Sequence, residues 1–223
     1  MTTKKKSTES SPEEGATEAK PKKAGGGGAT AVARKILEEE NPQSKIAEHG
    51  ETMMEGPRTA ATQSARVLSE IIEEKPELVV PLVAKFAKGI SSPNKRVVQT
   101  SAEALPAIAR IAPARVARQL DVLKGSFEEA NDVGKDGLVK TFAALCTASV
   151  AYQKRLEPVL TTALNGADGK TLFTWTQIVL PALKGEPHAR ARAVVEGRLN
   201  LIPRSYAQQI ADFLGIKLRL RYR

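Results

Sequence analysis

The chain has 223 residues, 41% of them hydrophobic and 26% charged, with a formal net charge of +9 at pH 7, an ordinary balance for a soluble folded protein. No apolar run nears the ~20 residues that cross a bilayer, and no apolar signal core follows the N-terminal lysines. A single cysteine, Cys146, excludes an internal disulfide and a multi-cysteine zinc site, so the sequence predicts a cytoplasmic protein. Aromatics are 4% while alanine is abundant, which points to helices packed closely on small side chains.

Residues 1–28 read as a disordered Lys/Gly-rich tail. After Met1 they hold no Val, Ile, Leu, Phe, Trp or Tyr, so no apolar face offsets the entropy of ordering them. Gly25–Gly28 are expected to form a flexible hinge. Residues 29–56 are expected to cap the fold: a short helix over Ala29–Glu40, a break at Asn41-Pro42, another turn over Gln43–His49, and a loop from Gly50 to Gly56 carrying Met53 and Met54.

Two helix pairs follow. Pro57–Lys75 carries Ala61, Ala65, Leu68, Ile71 and Ile72 at helical spacing. Pro76 opens its partner, which buries Val79, Leu82, Val83 and Phe86, with Gly89 expected as a left-handed cap. In the next pair Ser92 is expected to cap Pro93, the first helix carries Val97, Val98, Leu105 and Ile108, and Pro113 opens the second. The strings PRTAATQSARVLSEIIEEKPELVVPL and PNKRVVQTSAEALPAIARIAPARVARQL resemble HEAT repeats. Asp132–Ser149 with Ala151–Asn165, and Lys170–Leu183 with Pro187–Ile202, keep the helix-pair plan with a looser motif, and Ser205–Leu214 supplies a last helix.

The resemblance implies an all-α fold, a right-handed α-solenoid of about four HEAT-like helix pairs over residues 57–215, and a binding role. Its second helices would line one face. Residues 216–223 form a basic C-terminal tail in which Ile216, Leu218, Leu220 and Tyr222 alternate with Lys217, Arg219, Arg221 and Arg223. That is strand spacing, suited to docking the apolar side and turning the cations outward.

Catalytic and metal signals are weak. Cys146 sits on an apolar helix face, and His49 and His188 stand alone, so neither a cofactor nor a metal is expected. Gly169-Lys170-Thr171 imitates the end of a phosphate loop, but Leu164 stands where the first glycine belongs. Asp168–Thr171 reads instead as a helix-capping turn, and Trp175 as core.

The cations carry more information. Residues 132–223 hold 14 Lys and Arg against 7 acids, most of the excess. On helical wheels Lys85, Arg115, Arg118, Arg155 and Arg190 fall on the same side of their apolar stripes, a basic ridge if the second helices stack in register. With Lys217, Arg219, Arg221 and Arg223 they form the candidate site for an acidic partner, either a protein or sequence-independent nucleic acid.

Two function classes are open. One is a non-enzymatic HEAT-repeat scaffold that engages an acidic partner through this basic face. The other is an alkylpurine DNA glycosylase built on HEAT-like repeats, which needs aromatic residues around the base and a carboxylate beside the sugar. The sequence shows one Trp, three Tyr and no Trp–Asp pairing at helical spacing. A HEAT adaptor related to the phycobilin lyases has only the repeats in its favour.

Overall fold

The computed structural model describes residues 27–218, and every regular element among them is helical. In chain order these are α1 (Gly27–Leu37), α2 (Gln43–Glu55), α3 (Arg58–Glu74), a 3-10 helix (Pro76–Leu82) continued by α4 (Val83–Gly89), α5 (Lys95–Ile111), α6 (Pro113–Ala117), α7 (Leu120–Glu129), α8 (Asp132–Ala148), α9 (Val150–Gly166), α10 (Gly169–Ala182), α11 (Gly185–Arg198) and α12 (Arg204–Leu214).

Two rows emerge from the contacts. In the first, α1, α3, α5, α8, α10 and α12 each touch the next. In the second, α2 packs on α3, α4 on α5, α7 on α8, α9 on α8, and α11 on α9 and α10. One continuous apolar core, from Ala29 to Ile210, lies among them. No helix pair in this arrangement closes its own apolar face, so stability has to come from neighbours. The longest side chains at the centre, Phe86, Leu105, Ile108, Leu138 and Phe142, are fully buried.

Local chemistry sets the element ends, and several expectations need correction. Gly27 and Gly28 open α1 and are not part of a hinge; the rest of the predicted tail lies outside the described residues. Gly50–Gly56 is not a loop, because α2 runs on to Glu55. Gly50 is helical and buried, and a Cβ there would meet the Leu82 side chain at 2.8 Å. Gly89 is not a left-handed cap either. It ends α4 so closely packed on α5 that a Cβ would fall 2.3 Å from Ser101 Oγ. The glycines that do take positive φ are Gly185 (59°) and Gly215 (68°). Asn94, rather than Ser92, caps α5 by accepting from the Arg96 N–H at 3.0 Å, while Ser92 Oγ accepts from the Asn94 N–H. The segment after Pro76 begins as a 3-10 helix, with Pro81 inside it. Proline has no N–H to complete an α-turn there.

α5 and α8 share the most extensive contact in the fold. Gly137 makes it possible, since a Cβ at this position would lie 2.4 Å from Ala102 Cβ, 2.6 Å from its Cα and 2.9 Å from its carbonyl oxygen. That carbonyl is the one Pro106, buried inside α5, leaves without an intrahelical donor. A kink-prone residue and a missing side chain therefore meet at the same crossing.

The adjoining seams are tied by polar groups. Thr100 Oγ1 donates to the Ala65 carbonyl at 3.0 Å and Ser69 Oγ to Glu103 Oε2 at 2.6 Å, joining α3 to α5. Farther along, Gln153 is 2% exposed and fully used. Its Nε2 donates to the carbonyls of Cys146 (3.0 Å) and Ala182 (3.2 Å), and its Oε1 accepts from the Lys184 N–H (3.0 Å). One side chain thus satisfies the ends of α8 and α10 that would otherwise be buried without partners.

Gly137→Ala should destabilise the protein by about 1–3 kcal/mol in urea unfolding, because backbone must move to admit the methyl group. Gly125→Ala is the contrast. It lies inside α7 with nothing within 4 Å of its Cβ position and should stabilise by about 0.5–1 kcal/mol through helix propensity. Equal effects at both positions would rule out the α5–α8 crossing as the tight contact.

Candidate functional site

The second row was expected to carry the basic ridge, and the structure places three of its five cations in ion pairs with the preceding helix of the same row. Lys85 Nζ lies 2.7 Å from Glu51 Oε2, joining α4 to α2. Arg155 lies 3.9 Å from Asp121, joining α9 to α7. Arg190 Nε lies 3.5 Å from Glu157 Oε2, joining α11 to α9, and the same guanidinium reaches Glu186 at 3.9 Å. These partners are 34, 34 and 33 residues apart in sequence. Each base in these pairs faces an acid one helix pair earlier.

Arg115, on α6, and Arg118, just after it, are exposed near the middle of the row and make no ion pair among the described residues. Lys217 is exposed beyond α12, where Ile216 and Leu218 are half-buried against the core. Arg219, Arg221 and Arg223 lie outside the described residues. Taken together, the second-row segments 43–55, 76–89, 113–129, 150–166 and 185–198 hold 11 Lys and Arg against 10 acids. Those segments are close to neutral in sum, and acids the wheels did not weigh stand beside Lys85, Arg155 and Arg190.

A second feature escaped the sequence reading. Where α7 turns into α8 and α9 into α10, a cleft of about 820 Å³ opens. Trp175, 5% exposed, donates its indole N–H to Asp136 Oδ1 at 2.9 Å, and Lys140 Nζ lies 2.6 Å from the other carboxylate oxygen. A Trp–Asp pair therefore exists, contrary to the expectation, across 39 residues and two helices. Helical spacing only detects partners on one helix. Stacking on a base needs an open ring face, whereas this ring is nearly covered and its carboxylate is already shared by two donors.

The capping turn at Asp168 is as expected: its Oδ1 accepts from the Thr171 N–H at 2.7 Å. That bond, first of several, holds the Asp168 carboxyl below its ordinary range. Its contribution to stability is present above the unfolded carboxylate pKa and disappears as the pH falls through the lowered value. Across the cleft, Lys135 Nζ sits 5.9 Å above the Phe127 ring.

The remaining titratable candidates are structural. His49 lies half-buried on α2, not in a turn, with Nδ1 3.1 Å from Ser64 Oγ, and burial lowers its pKa. Burial pushes the Cys146 thiol up to about 12, so the nucleophilic thiolate is scarce at neutral pH. Among the described residues no group of three or more His, Cys, Asp or Glu could hold a metal, and no helix is long and apolar enough to cross a membrane. No protein-family model, curated protein or solved structure matches the chain.

Two measurements check these assignments. A double-mutant cycle on Glu157 and Arg190 should give a coupling of about 0.5–1 kcal/mol, larger than that of Asp121 and Arg155, because Glu157 is only 12% exposed and Asp121 is 94% exposed. Both couplings should shrink in high salt. Native protein at pH 8 should leave Cys146 unmodified by a charged thiol reagent, with one thiol per chain titrating after denaturation; rapid labelling of the native form would contradict its burial.

Proposed function

We propose that this chain is a HEAT-type α-solenoid that serves as a non-enzymatic scaffold for an acidic partner. The resemblance of residues 57–202 to HEAT repeats supports the architecture, and the ion pairs repeating at 34, 34 and 33 residues are the observation that carries it. An ion pair recurring at a spacing of 33 or 34 residues on the same row is what in-register stacking of helix pairs of similar length produces.

The same ion pairs narrow the binding surface. Lys85, Arg155 and Arg190 are partly neutralised by their acids, so an acidic partner gains most from Arg115 and Arg118 and from the cations at the chain end. Lys217, Arg219, Arg221 and Arg223 supply four positive charges with no acid among residues 216–223. An anionic partner of high charge density, such as a nucleic acid or an acidic protein segment, is recognised there by charge more than by shape. Contact with such a surface is salt-sensitive and indifferent to sequence.

The test is binding of the full chain to mixed-sequence duplex DNA, to single-stranded RNA and to polyglutamate across a salt series. Affinity should fall steeply with salt. Replacing Lys217, Arg219, Arg221 and Arg223 by Ala should reduce the slope of log K against log salt by roughly 2–4 for the nucleic acids, and Arg115→Ala with Arg118→Ala by roughly 1–2. Preference for polyglutamate would assign an acidic protein as the partner. No binding to any of the three at low salt would sink the acidic-partner reading, and release of free alkylated purine from methylated DNA would overturn the non-enzymatic one.

A further inference from the structure

We infer that the cleft between the α7–α8 and α9–α10 turns receives a cationic, extended peptide segment of a partner protein. The site is separate from the free arginines of α6 and opposite in polarity. Its floor is apolar, formed by Phe127, Ala163, Ala167 and Trp175, and its volume of about 820 Å³ is within the range of built ligand sites.

Charge decides the class of occupant. Glu128, Asp132, Asp136 and Asp168 line the cleft against two lysines, Lys135 and Lys170. Four carboxylates thus outnumber two lysines, and one of those, Lys135, lies over the Phe127 ring. Asp136 is engaged by Trp175 and Lys140. Glu128 and Asp132 remain, both exposed and without a partner among the described residues. The helix ends do not decide the sign, because the N-termini of α8 and α10 and the C-terminal ends of α7 and α9 come to the same place. An anionic ligand would face uncompensated carboxylates here. A bare metal ion would lack ligands, since no group of three forms among the described residues.

Lys135 shows how an occupant fits. Its ammonium group rests above an aromatic ring. A lysine or arginine of a bound strand has the same two needs, an apolar bed for its stem and an acceptor for its head. Neighbouring apolar residues of that strand would cover the Trp175 edge.

Trp175 is the only tryptophan in the chain, so its emission reports on this cleft directly. The full chain would be titrated with a blocked peptide alternating Arg or Lys with Leu, and with the same peptide carrying Glu in place of each cation. The cationic peptide should give a saturable change in emission and the acidic one none. The double variant E128Q/D132N should bind at least tenfold more weakly while keeping its far-UV circular dichroism and melting temperature. Undiminished binding by that variant, equal response to the acidic peptide, or no response at all would each overturn the proposal. So would emission that changes with protein concentration alone, which would make a second copy of this chain the occupant. A chain that binds the cationic peptide yet ignores DNA, RNA and polyglutamate would uphold the cleft while rejecting the acidic partner.

Discussion

The fold depends on how closely α5 and α8 approach. Ala102 and Gly137 bring two backbones together without intervening side chains, and Pro106 leaves the Ala102 carbonyl free at that contact. A Cα–H of the facing helix is a weak but adequate neighbour for such a carbonyl. Among the described residues, this seam is the most extensive joint between the α1–α5 segment and the α8–α12 segment. Everything on either side inherits its angle and spacing. The row partners at α2–α4 and α9–α11, where ion pairs form, are positioned through it.

Net charge is a poor guide to the field at any one surface of this fold. A charge of +9 describes the sum over the chain, while a partner meets only a local field. Along the second row, acids one helix pair upstream meet the bases, and such exposed pairs are individually worth little to stability. Their larger consequence is to subtract from the potential on that face. What remains is concentrated at α6 and past α12. A cleft of the other sign lies where the second row hands over to the first, so the scaffold reading now has two surfaces of unlike polarity.

Much of the fold was legible in the sequence because its signals are local. The 3.6-residue apolar stripes gave α3, α5, α8 and α12 to within a residue or two, and proline marked the starts near Pro57, Pro76 and Pro113. Glycine misled. Gly50 and Gly89 look like breaks to any local rule, yet each is a buried point where another helix's side chain presses in. Their purpose resides in Leu82 and Ser101, which no nearby residue reveals. The partners of the cations were not legible for the same reason. Wheels place a cation relative to its own helix, but Glu51, Asp121 and Glu157 belong to other helices. Trp175 meets Asp136 only after two helices fold back on each other. The Asp168 cap, closed within three residues, was read correctly.

The spacing of the ion pairs along the second row bears on how a chain like this tolerates change in length. Losing or gaining one residue between Asp121 and Arg155 rotates everything downstream by about 100° on a helix, so base and acid no longer face each other. Copying a whole unit of about 34 residues restores the pairing and adds one more rung. Such a chain is brittle to single insertions within a unit and permissive to duplication of the unit, a bias that favours growth by recombination over gradual lengthening.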